Sequence, residues 1–413
     1  MADVLTVFLF IALTAFAGFL GGVFFKKTRF SDFVLLMVIG LLVGPVFNLL
    51  GTDSVTFLRG VTPFFASLAL VMIIFEGALQ LNFYRVLQEL PKSTLFTVLI
   101  FLITTALVTT VLVFFGWDLL FAILVGCLLG ETSSAIVVPL ARSIMVSEET
   151  QTLLTLETAF NDAITIIATI AVAQIIIAQN VSIQIVSQNI LAAFSIAALL
   201  GLVFGVLWLK VMRDFPSTRE YDYVLTLATV FFLYSATEFL GGNGITSALV
   251  FGIVLGNAKD IGGILRMPDV ELDSNITLFQ KEISLFVTTF FFLYLGIIFD
   301  MASMTIGILA VALAITIAIY LARYIGVEVL ARVSKKFEVD KRAIRSMMAR
   351  GLAAAVLATY PLSVGIDNPH VGELMQIVFL VILFTNILNT IGIFDFEIER
   401  RKYGFVRQAS GKP

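Results

Sequence analysis

The sequence predicts an all-α polytopic membrane protein with 13 transmembrane helices. Three observations carry that reading. Hydrophobic residues fill 59% of the 413 positions and charged residues only 13%, against about 25% charged in soluble domains. Apolar runs of bilayer-spanning length recur along the whole chain, separated by short polar breaks. Lys and Arg are segregated: of 26, all but Arg59, Arg323 and Arg350 fall in one set of alternate loops. Cytoplasmic loops carry that excess, so the N-terminus is expected outside the cell membrane and the C-terminus in the cytoplasm.

The spans are expected at 4–25, 33–50, 61–81, 93–115, 119–141, 150–178, 185–212, 221–240, 244–257, 279–299, 301–331, 343–362 and 371–394. The first is long enough to span and has no basic segment before it, so it reads as a span and not as a cleavable signal. Pairs of glycines four apart at Gly18/Gly22, Gly40/Gly44, Gly126/Gly130, Gly201/Gly205 and Gly252/Gly256 predict close helix packing. The fifth span contains Gly130-Glu131-Thr132-Ser133-Ser134 and then Pro139. That cluster suits an unwound helix, tolerated at depth only where protein or water covers its backbone. The twelfth carries Arg350-Gly351, three alanines and Thr359-Tyr360-Pro361, a second expected break. With the seventh span as linker, each break is the fifth span of its half, and the two cross the membrane in opposite directions. That topology is an inverted repeat, and paired interruptions of this kind mark the binding site of secondary transporters.

The sixth span is apolar except for Glu157, Thr158, Asn161 and Asp162. Residues four apart share a helix face, so Glu157 stacks over Asn161 and Thr158 over Asp162. Each carboxylate at mid-span costs about 2.5–3.5 kcal/mol on insertion scales. The acids at membrane depth are Glu76, Glu131, Glu157 and Asp162, and only Arg323 and Arg350 stand against them. Buried charges pair, bind a cation or neutralise. If Glu157 pairs with Arg350 or Arg323, with Asn161 orienting the guanidinium, an acid is left over, and Asp162 is the candidate. It can hold a proton or a small cation, and exposing one such site alternately to each side is sufficient for antiport. The Thr132 carbonyl, the Ser133 and Thr158 hydroxyls and the Asp162 carboxylate are hard oxygen ligands suited to an alkali cation.

These residues resemble the NhaP/sodium–proton exchanger branch of the cation/proton antiporters: Asn161-Asp162 with Glu157 upstream, the Phe75-Glu76-Gly77 turn, the threonine-bearing break of the fifth span, and Arg350-Gly351. The resemblance implies a homodimer that moves ions by an elevator motion. Scaffold helices would occupy 1–92 and 184–300 (with the linker span), core transport helices 93–183 and 301–396, and a short cytoplasmic tail 397–413. The branch's essential aspartate maps to Asp162, and its ion ligands to Thr132, Thr158 and, through water, Glu76. The Asn-Asp pair implies electroneutral one-for-one exchange of Na+ for H+. Where many members have Thr-Asp-Pro, this chain has Thr132-Ser133-Ser134, a pattern more like the K+/H+ branch, with Glu131 one residue away from the expected place.

Other classes fare worse. One cysteine, Cys127, and one histidine, His370, cannot build a disulfide framework or a zinc site. His370 is expected to be an ordinary loop residue. Neither an apposed aspartate pair nor a His-Glu-x-x-His helix is present, so an intramembrane enzyme is not expected. An organic-anion carrier would want an arginine free for substrate, yet acids outnumber arginines at depth. No resident cofactor is expected beyond the transported ions (Na+, K+ or Li+, and H+). The expected partners are membrane lipid and a second copy of the chain, with no nucleic acid.

Overall fold

The computed structural model describes residues 12–23, 32–49, 58, 64, 67–68, 71–72, 74–79, 90–178, 183–214, 222–265 and 274–409. Arg59 and much of the first and third expected spans lie outside them. Among the described residues all regular structure is helical. The helices are α1 (Ala12–Val23), α2 (Asp32–Leu41), α3 (Leu90–Phe114), α4 (Leu119–Leu128), α5 (Ser134–Ser143), α6 (Glu148–Ile177), α7 (Ile183–Asp214), α8 (Asp222–Phe239), α9 (Gly244–Gly256), α10 (Ala258–Ile264), α11 (Ser274–Ile298), α12 (Ile306–Val333), α13 (Lys341–Ser346), α14 (Leu352–Leu357), α15 (Tyr360–Ser363) and α16 (Val371–Ala409). A wide turn at Leu42–Val46, around Pro45, continues α2. Phe75-Glu76-Gly77, read as a turn, is instead part of a helical stretch at 74–79.

By length and composition, five helices among the described residues can cross a membrane: α6, α12 and parts of α3, α7 and α16. The expected ninth span is bent by 79° where α9 meets α10. Asn257 sits at that bend, and its side chain donates back to the Ile253 carbonyl at 2.7 Å.

Helix starts follow local chemistry. The Ser147 hydroxyl accepts from the Thr150 N–H, and Glu148 and Glu149 fill the first turn of α6, where the positive end of the helix dipole favours acids. Asp118 caps α4 and Asn243 caps α9 in the same way. The eleventh span was expected from 301. Thr305 delays it by accepting from the Ile308 N–H at 3.2 Å. At the other end, α16 overruns the expected limit at 394 and takes in the expected tail as far as Ala409. Two ion pairs dock that extension: Arg400 with Asp340, and Arg342 with Glu399.

Two packing groups are evident. In one, α2 lies on α11, and α9 lies on α7 and α8. The α2–α11 approach needs glycine on both sides. A Cβ on Gly40 would lie 2.2 Å from the Leu293 carbonyl oxygen, and one on Gly296 2.3 Å from that of Met37. Gly252 and Gly256 similarly admit the 74–79 stretch against α9. Gly22 departs from the expectation: among the described residues a Cβ there would meet nothing within 4 Å. In the second group α3 packs on α4, α6 and α12, α6 on α4, α5 and α14, and α16 on α12, α13 and α14.

The second group holds the interrupted helices. The chain leaves the helix between α4 and α5, at 129–133, and again between α13 and α14, at 347–351. His370 lies in the turn before α16, as expected of a loop residue. Its ring stacks on Trp117 at 4.3 Å and 7°, and Nδ1 lies 3.3 Å from Glu373.

Candidate functional site

The two unwound segments, 129–133 and 347–351, touch each other. The Ser133 N–H donates to the Ala349 carbonyl at 2.9 Å. Gly351 is required at the contact, because a Cβ there would lie 2.2 Å from Ser133 Oγ and 2.6 Å from Ser133 Cβ. Unwinding frees backbone groups that lipid cannot satisfy, and side chains take them up. Arg350 Nε donates to the Leu129 carbonyl at 2.7 Å, and its Nη1 to the Met348 carbonyl at 2.9 Å. Asn386 Nδ2, from α16, donates to the Arg350 carbonyl at 2.9 Å. Asn161 Nδ2, from α6, donates to the Gly130 carbonyl at 2.9 Å and to Thr132 Oγ1 at 3.3 Å. Glu131 Oε2 accepts from the Ala354 N–H at 2.7 Å and from that of Gly351 at 3.4 Å. The first unwound segment thus supplies the carboxyl oxygen that caps the start of α14.

The three acids at the crossing have definite environments. Glu157 forms a two-pronged ion pair with Arg323, and Nη2 to Oε2 is 3.0 Å. Arg323 Nε also donates to the Ile344 carbonyl at 2.9 Å, and its guanidinium lies 5.6 Å from the Phe96 ring centre. Arg323 is 2% exposed and Glu157 is fully buried. Glu131 is engaged with the α14 backbone and lies within Coulombic range of Arg350 and of Asp162. Asp162 has the least. Ser134 Oγ donates to its Oδ2 at 2.9 Å, and its buried Oδ1 has no partner among the described residues.

Several expected site residues meet at this crossing: Asp162, Asn161, Thr132, Ser133 and Arg350. Others are placed differently. Thr158 turns its hydroxyl to its own helix and donates to the Thr155 carbonyl at 3.2 Å. Glu76 sits on the 74–79 stretch against α9. Of the two expected arginine partners for Glu157, Arg323 makes the pair, while Arg350 serves the unwound backbone. Asn161 does not orient the guanidinium; with the break beside it, the free Gly130 carbonyl is the better acceptor.

Sequence reasoning missed two roles. Ser134 is the donor to Asp162, although it stands in the same hydroxyl cluster as Thr132 and Ser133. Glu131 is the α14 cap, and a signal for it existed: an acid in one break and an uncapped helix start in the other. No group of three or more His, Cys, Asp or Glu side chains able to hold a metal ion occurs among the described residues.

The family model for the transmembrane sodium/hydrogen exchangers matches residues 10–396. The Na(+)/H(+) antiporter ApNhaP of Aphanothece halophytica is 25% identical over 80% of this chain and 65% of its own length. Na(+)/H(+) antiporter 1 of Methanocaldococcus jannaschii is 23% identical over 83% of this chain and 79% of its own. The K(+)/H(+) antiporter NhaP2 of Shewanella is 25% identical over 77% of this chain and 54% of its own length. The chain therefore spans less than two thirds of the first of these relatives. The solved sodium proton antiporter MjNhaP1 from Methanocaldococcus jannaschii shares the fold, with a TM-score of 0.73 at 21% identity over 93% of this chain and 97% of its own. The chain belongs to the sodium/hydrogen exchanger family of transmembrane proteins, and its similarity to NhaP-named relatives puts it on the branch that the set of motifs around Glu76, Thr132, Glu157, Asn161-Asp162 and Arg350-Gly351 resembles.

Proposed function

We propose that the protein is a secondary transporter, not an enzyme, and that it exchanges a monovalent cation for H+ by competition at Asp162. One observation carries this reading. Glu157 is neutralised by Arg323 and Glu131 is occupied by the α14 backbone, while Asp162 holds a single hydroxyl and one unpartnered oxygen among the described residues. An acid left so at mid-membrane takes its counter-charge from solution.

The finer reading has 13 spans, two of them broken, an outside N-terminus and a cytoplasmic C-terminus in the cell membrane. Residues 93–183 and 301–396 form a core that moves like an elevator against a dimer scaffold at 1–92 and 184–300. Exchange is electroneutral and one for one. The packing of the interrupted helices on α3, α6, α12 and α16 supports the core assignment, and the segregated basic residues support the orientation. Asp162 is the carrier. Thr132, Ser133 and Thr158 line the site, Glu76 extends it through water, and Asn161, Glu157, Arg323 and Arg350 hold its frame.

A K+/H+ exchanger of the same fold is the second reading. The position expected to carry an acid is Ser133, and relatives named as K(+)/H(+) antiporters are among those similar to the chain. Fewer carboxylates mean a weaker field at the site, which favours the larger, more easily dehydrated ion. The panel that decides is dye-reported collapse of a pH gradient in proteoliposomes by Na+, Li+ and K+. Na+ and Li+ are expected to collapse it and K+ to act weakly. A K+ response equal to or above that of Na+ would establish the second reading, and no response to any of the three would remove both.

A further inference from the structure

Threonines inside helices ordinarily return their hydroxyl to a carbonyl one turn back. In this protein Thr155, Thr237, Thr316 and Thr385 do so at 2.7–2.8 Å. Thr165 and Thr169 of α6 do not. Both are fully buried, yet neither Oγ1 has a partner among the described residues. Asn161, Thr165 and Thr169 are spaced by four, and Asp162 falls within about 100° of the same sector. The two hydroxyls stand roughly 4.5 and 10 Å along the axis from Asp162. Asp162 Oδ1 and Asn161 Oδ1 are buried and unpartnered in that same sector. Four polar atoms thus share one stripe of one helix, each lacking a partner among the described residues. Above Thr169 the stripe turns apolar at Val172, Ala173 and Ile176, all packed in the core. The polar stripe is closed at that end.

We propose that this stripe is a blind pocket of bound water behind Asp162, a claim that rests on Asp162 being the carrier. Buried water needs two to four polar partners. A first water donates to Asp162 Oδ1 and Asn161 Oδ1 and accepts from the Thr165 hydroxyl. A second bridges Thr165 and Thr169. The first water gives the ionised carboxylate the hydrogen bond that protein withholds, and gives a bound alkali cation an oxygen ligand without opening the site to the far side. Thr165 and Thr169 are positioning residues for that water.

The test replaces both threonines by valine, which keeps the branched shape, and separately by serine, which keeps the hydroxyl. Thr165→Val with Thr169→Val is expected to raise the half-saturating cation concentration about tenfold, the loss of one hydrogen bond to a charged group. The serine pair is expected to match wild type. A valine pair with unchanged affinity and equal or higher melting temperature would mean that the pocket is dry and the proposal wrong. If the valine pair fails to fold, electron density of the wild type decides. Water between Asp162 and Thr165 supports the proposal, and hydroxyls turned back to the Asn161 and Thr165 carbonyls overturn it. The Asp162→Asn variant separates the two claims. Lost exchange there, with the valine pair unaffected, keeps the carrier and removes the pocket.

Discussion

Asp162→Asn is expected to bring cation-driven proton movement in proteoliposomes down to that of empty vesicles while the protein folds normally. The amide keeps the size of the carboxyl and an oxygen that can accept from Ser134 Oγ, now 2.9 Å away. It removes the only property the mechanism uses, a charge that either ion can neutralise. No other acid in the crossing can substitute. Glu157 is bound to Arg323, and Glu131 is bound to two N–H groups of the second break. Melting temperature should stay near that of wild type, since a neutral side chain at this depth is cheaper to bury than an ionised one. Exchange at wild-type rates in the folded variant would show that another group carries the ions.

The second large effect concerns stability. Arg323→Ala or Glu157→Ala alone is expected to cost about 3–5 kcal/mol, because each leaves a full charge buried without its partner. The Arg323 change also orphans the Ile344 carbonyl that Nε now serves. The pair ties α6 to α12 and to the end of α13, so its loss loosens the frame in which Asp162 sits. Replacing both together, Glu157→Leu with Arg323→Met, should cost far less than the sum, since no isolated charge remains. Melting curves in detergent measure this. A double variant that costs the sum of the two single costs would show that the pair has no coupling. A stable single variant with only a shifted cation affinity would place Glu157 in the ion site itself.

Much of the frame was legible because lipid leaves few options. Span-length apolar runs and glycine clusters are strong signals of an all-helical membrane fold, and the non-helical stretches at 129–133 and 347–351 coincide with the Gly-, Ser- and Thr-bearing cluster and with Arg350-Gly351. Counting acids against arginines singles out Asp162 as the candidate, and the structure leaves its Oδ1 without a partner among the described residues. What stayed hidden is the choice among partners that composition permits equally. Both Arg323 and Arg350 could reach Glu157 on paper. The distance across the bundle decides, and that is a property of three packed helices. Asn161 was read as a partner of arginine because the freed Gly130 carbonyl exists only once the break has formed. Glu131 and Ser134 were missed for a similar reason: their partners, the start of α14 and Asp162, belong to other segments brought near only by the crossing. The extension of α16 to Ala409 was missed because its anchors, Asp340 and Arg342, lie about sixty residues away in sequence.

The most direct test of competition at one carboxylate is the half-saturating cation concentration as a function of pH, with both sides of the proteoliposome membrane controlled. When a proton and a cation contend for a single site, each unit of acidification below the carrier's titration midpoint raises that concentration about tenfold, and the maximal rate at saturating cation stays constant. A half-saturating concentration that does not move with pH while the maximal rate collapses would show that protons and cations act at different places, and the assignment to Asp162 would fail.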